Sequence, residues 1–200
     1  MSAPWQPLLD WWFGQGATAR EVVAQKHPLW FGYKPAQDDE ARQRFGALAE
    51  QALRGDLMEW ADTADGWLAL VLLLDQLPRM IHRGTPAAFA GDAPALRLVQ
   101  DGLAQGRDAE LVPIRRVFIY LVLEHAEDLH IQDLAVARFT WLRDIAAAAD
   151  RQPFEEFLDF AERHREVIAR FGRFPHRNAI LGRVSSEAER LYVAQPGSGF

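Results

Sequence analysis

The chain has no cysteine among its 200 residues, which excludes disulfides, thiolate zinc sites and thiol redox chemistry and fits a reducing compartment. It also has no long apolar run. The strongest, Trp67 to Leu74, stops at Asp75, well short of the ~20 residues that span a bilayer, so a core helix is expected there and no membrane partner. The N-terminal MSAPWQPLLDWWFG lacks the basic stretch, apolar core and small-residue cleavage site of a secretory signal, which makes the cytoplasm the expected compartment. A glycine-rich phosphate loop, a dinucleotide fingerprint and a Gly-x-Ser-x-Gly elbow are all missing, and no cofactor is expected. Positive charge is in deficit, 22 Lys and Arg against 28 Asp and Glu for a net charge of -6, which argues against a nucleic-acid partner.

What is present is apolar and aromatic. With 49% hydrophobic residues, seven tryptophans and twelve phenylalanines, the chain can bury one sizeable core, so residues 1–200 are read as a single domain. No period-2 pattern stands out, and helix follows helix. Ser2 and Pro4 open a first one that Gly14 closes, and Asp38 caps one running to Gly55 with Phe45, Leu48 and Leu53 inside. Thr63 precedes a central helix from Trp67 to Leu77, apolar nearly all round. Further starts fall at Thr85-Pro86, Asp92 and Pro113. Asp128 caps a helix to Ala149, Pro153 opens one to Phe171, and Ser186 with Glu189 forms a capping box. The breaks at Gly16, Pro28, Gly32 and Pro35 predict a long loop over 15–37, and Gln195-Pro-Gly-Ser-Gly-Phe200 reads as a flexible tail. Short connections imply antiparallel neighbours, so the fold class is all-α, with helices stacked as hairpins.

Four stretches, Leu72-Leu-Leu-Asp75-Gln76-Leu-Pro78-Arg79, Arg83-Gly-Thr-Pro-Ala-Ala-Phe89-Ala, Glu124-His125-Ala-Glu127-Asp128-Leu and Arg170-Phe-Gly-Arg-Phe-Pro-His-Arg-Asn-Ala-Ile-Leu-Gly-Arg183, resemble the bacterial family known as domain of unknown function 924. The last motif is long and specific. The resemblance implies an all-helical, tetratricopeptide-like fold and carries no established activity. The chain departs from the family pattern at Leu77 and Met80, and at Ala126, where the family has a serine; that absence weighs against a serine nucleophile.

Positive charge is concentrated between Arg163 and Arg183, which hold six arginines, two histidines and an asparagine. His164 shares a helix face with Phe157, Phe160, Ala161, Ile168 and Phe171, and is expected to be a buried, hydrogen-bonded core histidine. Arg163 and Arg165 fall off that face. Arg173, His176, Arg177 and Asn178 crowd a helix break with a restart near His176, where unpaired backbone donors and guanidinium groups favour anions. Asp75, Gln76 and Arg79 end the central helix, and a buried Asp75 requires a cation. His125 and Glu127 are candidate acid/base groups alongside His176, and the Glu-x-x-His run they sit in is a weak metal signal with no second copy.

These residues support three readings. In the first, Asp75, Gln76, Arg79, Arg173, His176, Arg177 and Asn178 line a pocket for a small phosphate- or carboxylate-bearing ligand, in an enzyme or a binding protein. In the second, the same arginines latch onto internal carboxylates such as Asp75, Glu127 or Asp128, and the chain is a scaffold for a protein partner. The third is a metal-dependent enzyme. The first requires the motifs around Asp75, His125 and His176 to meet in space.

Overall fold

The computed structural model describes residues 3–199, which contain α-helices, short 3-10 turns and no strand. In chain order the helices are α1 (Gln6–Phe13), α2 (Ala19–Trp30), α3 (Pro35–Arg54), α4 (Ala64–Leu74), α5 (Gln76–Ile81), α6 (Asp92–Ala104), α7 (Pro113–Glu124), α8 (Leu129–Ile145), α9 (Arg151–Phe171) and α10 (Glu187–Val193). Their boundaries follow local chemistry. The Thr63 hydroxyl accepts from Gly66 N, the Asp128 carboxylate from His130 and Ile131 N, and Ser186 closes a reciprocal box with Glu189. Gly14, Gly55 and Gly172 end α1, α3 and α9.

The apolar run Trp67 to Leu74 lies in α4, buried from Gly66 to Leu74 and touching α1, α3, α6 and α7. Around Phe118 of α7, the rings of Trp12, Phe13 and Trp30 meet at centroid distances of 5.3, 5.4 and 4.8 Å. The α8 and α9 helices form the most extensive pair.

The central helix stops at Leu74 and does not continue to Leu77. Pro78 has no N–H for the Leu74 carbonyl, and its ring would collide with that carbonyl in a continuous helix, so the chain turns at Asp75 (φ -106°, ψ -57°) before α5 begins. The Leu74 carbonyl is then met by the next helix but one. A Cβ at Gly91 would lie 1.8 Å from Leu74 O, and one at Gly102 would lie 2.4 Å from the Trp67 ring, while Trp67 Nε1 donates to Leu98 O at 3.1 Å. Two glycines therefore let α6 press against α4 at both ends, and this contact carries Asp92 to the end of α4.

Other expectations are corrected. The 15–37 stretch contains α2 and the start of α3 instead of a long loop, because Thr18 and Glu21 form a capping box and Pro28 sits only in the last turn of α2, where one lost backbone bond is tolerated. Pro35 opens α3, and Asp38 lies within its first turn, holding Arg83 through two bonds of 2.8 and 2.9 Å. Thr85-Pro86 starts only a 3-10 turn, Pro86–Phe89, and α8 ends at Ile145. The expected restart at His176 is a single 3-10 turn, Pro175–Arg177, after which the chain continues in turns to Gly182. In the tail, Ser198 is buried and its hydroxyl donates to Val193 O at 2.9 Å. Ser2 and Phe200 lie outside the described residues. No helix among those described is long and apolar enough to cross a membrane.

Candidate functional site

The three motifs meet. Asp75, at the α4–α5 break, is fully buried and accepts from His125 Nδ1 at 2.8 Å and Gln76 Nε2 at 2.6 Å, with Arg79 Nη1 at 3.2 Å. Arg79 Nη1 also reaches the Asp75 carbonyl at 2.9 Å and Asp92 Oδ1 at 2.8 Å. The Pro78 break allows this, since α5 is short and tilts Arg79 back over the residue that precedes it.

Arg177 arrives from the far end of the chain. Its Nη1 lies 3.3 Å from Asp92 Oδ2 and 3.2 Å from the His125 carbonyl, and its guanidinium sits 4.4 Å from the Phe174 ring and 4.9 Å from the Phe89 ring. Phe89 also receives Arg79 at 5.6 Å. Two guanidiniums thus share one aromatic ring and one carboxylate, Asp92. Arg79 Nη2 and Arg177 Nε are buried donors with no partner among the described residues.

The electrostatics follow from burial and from this pair of cations. Burial opposes ionisation of Asp75, yet the Arg79 charge, then His125 and the hydrogen bonds from His125 and Gln76, outweigh it and hold the carboxyl well below its ordinary range. Burial also lowers His125, and the Arg79 charge, with a smaller part from Arg177, adds to it against the opposing pull of Asp75, so the neutral ring is favoured. Because Nδ1 donates to Asp75, the lone pair is assigned to Nε2. No hydrogen bond to Nε2 is found among the described residues, and the side chain keeps 15% of its surface exposed. His176 is pushed down to about 4 by burial, Arg177 and His164, and Arg177 itself to about 10 by burial and Arg79. A neutral imidazole aimed by a buried carboxylate can accept a proton, and fixed guanidiniums can hold the negative charge of a bound group.

The outer part of the arginine segment is engaged in internal pairs. Arg173 makes two bonds to Glu189, at 2.6 and 2.9 Å, and one to the Val184 carbonyl, while Asn178 Nδ2 donates to Ser185 Oγ at 3.0 Å. Glu127 accepts Arg183 at 2.6 and 2.9 Å and the Phe174 amide at 2.7 Å, and these donors, led by Arg183, hold its pKa down despite burial. The backbone donors of the turn are used internally: Arg177 N reaches Phe174 O and Asn178 N reaches Pro175 O. Arg173, Asn178 and Glu127 therefore face internal partners, while Asp75, Gln76, Arg79, His125, His176 and Arg177 gather at one place. Asp128, a possible latch partner, caps α8 instead.

His164 is buried as expected, its Nδ1 2.8 Å from Phe160 O and 2.9 Å from Glu124 Oε1. Phe160 is not on the inner face; it is 44% exposed, with Arg163 stacked 4.2 Å from its ring. The inner stripe runs instead through Phe157, Ala161, His164 and Ile168. Among the described residues no group of three or more His, Asp or Glu is arranged to hold a metal.

Asp92 and Phe89 were not expected here. Asp92 reads in sequence as a helix start, and only its neighbour Gly91 signals a close backbone approach. Two clefts lie elsewhere: one of about 420 Å³ bordered by Tyr33, Asp38, Arg42 and Arg83, and one of about 210 Å³ bordered by Val167, Arg170, Phe171 and Tyr192.

Comparison with the curated proteins gave no match. Among solved structures the chain is similar to the protein of unknown function ATU0120 from Agrobacterium tumefaciens, at 34% identity and a TM-score of 0.73, over 88% of this chain and 96% of that one. The model of the family described as "Bacterial protein of unknown function (DUF924)" matches residues 8–197, a span holding every residue of the Asp75–His125–Arg177 cluster, and the chain belongs to that family.

Proposed function

We propose that the protein binds a small anionic molecule, phosphate- or carboxylate-bearing, between Arg79 and Arg177, with His125 Nε2 beside it as an acid/base group and His176 at the margin. One observation carries this reading: two largely buried guanidiniums converge, and each keeps a buried N–H with no partner among the described residues. A buried donor left unsatisfied costs about 1–3 kcal/mol, which a ligand oxygen would recover. Gln76 and Asp75 would then hold His125 and Arg79 in place. The internal pairs of Arg173 and Arg183 favour the latch reading for the outer segment only.

The test is thermal unfolding in phosphate or acetate against chloride at equal ionic strength, where binding to the native state raises the midpoint. The wild type and Arg163→Ala are expected to respond alike, because Arg163 stacks on an exposed ring and pairs with Asp159. Arg177→Gln is expected to unfold cooperatively without the anion response. An equal response in all three proteins would leave only diffuse charge screening, and no response in any would leave a latch.

A further inference from the structure

The geometry points to Asp92 as the internal occupant of the ligand's seat: we propose that its carboxylate stands where the carboxylate of a small-molecule ligand binds, and that it must turn aside for binding. The inference rests on the anion-binding reading above and narrows its ligand class. The two oxygens of Asp92 are divided between the two cations, Oδ1 to Arg79 Nη1 at 2.8 Å and Oδ2 to Arg177 Nη1 at 3.3 Å. This is how two guanidiniums grip one planar, two-oxygen group, and the Phe89 and Phe174 rings fix Arg177 in that attitude.

Three features mark Asp92 as the replaceable member. Its side chain is 26% exposed, against 0% for Asp75, 19% for Arg79 and 7% for Arg177, so the seat opens to solvent at Asp92. Its bond to Arg177 is long for a charge-assisted contact, whose usual range is about 2.7–2.9 Å. Asp92 is also the first residue of α6, so its side chain can rotate away without breaking the helix. With Asp92 in place, two arginines face two carboxylates and His125 is neutral. With it turned out, one positive charge is left over, suited to a monoanionic carboxylate, and Arg79 Nη2 and Arg177 Nε remain for another oxygen of the same molecule.

Asp92→Ala and Asp92→Asn empty the seat and are tested by thermal unfolding against formate, acetate, phosphate and chloride at equal ionic strength. Both variants are expected to melt below the wild type, and formate or acetate is expected to restore about 2–4 °C in a saturable manner. Phosphate and chloride are expected to restore less, and Arg177→Gln added to Asp92→Ala to abolish the rescue. Rescue by phosphate above formate would overturn the carboxylate seat while leaving anion binding intact. Absence of any saturable rescue would overturn the seat, and the wild-type comparison above then decides separately whether anions bind at all. A second measurement needs no variant: crystals of the wild-type protein soaked in formate should show formate on both arginines and Asp92 rotated outward. Asp92 still bridging Arg79 and Arg177 at saturating formate is the contrary result.

Discussion

A single buried side chain here takes its meaning from what would be left behind by its removal. His164 illustrates this, because its Nδ1 is shared between the Phe160 carbonyl and Glu124, and Glu124 is itself only 2% exposed with its second oxygen unpartnered among the described residues. His164→Leu keeps the apolar fit beside Phe174 but strands the Glu124 carboxyl, at a cost of about 1–3 kcal/mol. The expected result in urea unfolding is that the double variant His164→Leu, Glu124→Leu loses less stability than the two single losses added together, since the polar pair leaves as a unit. Strict additivity would mean the two side chains do not depend on each other. The pairing was partly legible in sequence: helical spacing placed His164 inward, but nothing in a linear pattern told which carboxyl from α7 would face it. The same spacing misplaced Phe160, because a residue at the edge of a stripe can turn outward when a neighbour such as Arg163 covers it.

At the scale of elements, α10 is held less by its own seven residues than by Glu189, whose carboxylate accepts the Ser186 amide in the capping box and the Nε and Nη2 groups of Arg173. An isolated helix of that length is unstable in water. Arg173→Ala removes a bond pair at a partly exposed position, where solvent screens the charges, so the unfolding midpoint should barely move. The loss should instead be local: hydrogen exchange of residues 186–193 is expected to accelerate while α4 and α7 keep their protection. Uniform acceleration would show that this latch supports the whole fold. The capping box of α10 was readable as Ser186 with Glu189, as were the starts at Thr63, Asp128 and Pro113, because these signals are local. The helix inside 15–37 was hidden by Pro28 and three other breakers, whose effect depends on position within a turn. The α4–α5 break was hidden for a different reason, since Leu77 keeps the helical apolar spacing across Asp75 and Gln76, and Pro78 acts one turn earlier than its own position, at the Leu74 carbonyl.

Over the whole molecule, the cluster at Asp75 joins the ends of α4 and α7, the start of α6 and the turn after α9, so its charge state bears on the stability of the entire chain. His176 faces Arg177, His164, Glu127 and His125, and is pushed down to about 4 by burial first and then by the neighbouring Arg177 and His164, with Glu127 opposing. His125 is lowered in the same direction. An imidazole that binds its proton less readily when folded leaves the unfolded chain holding more protons below the ordinary pKa of about 6.5. Stability therefore rises with pH between about 4 and 6.5 and is lost on acidification through that window, before the carboxylates Asp75 and Glu127, also lowered by folding, add their own loss below their ordinary values. For His176 each pH unit between about 6.5 and 4 should cost on the order of 1 kcal/mol. Urea unfolding at pH 7, 6 and 5 is expected to show this slope in the wild type and a shallower one in His176→Gln, which cannot take up the proton. Identical slopes in the two proteins would place the acid sensitivity elsewhere, with His125 as the next group to replace.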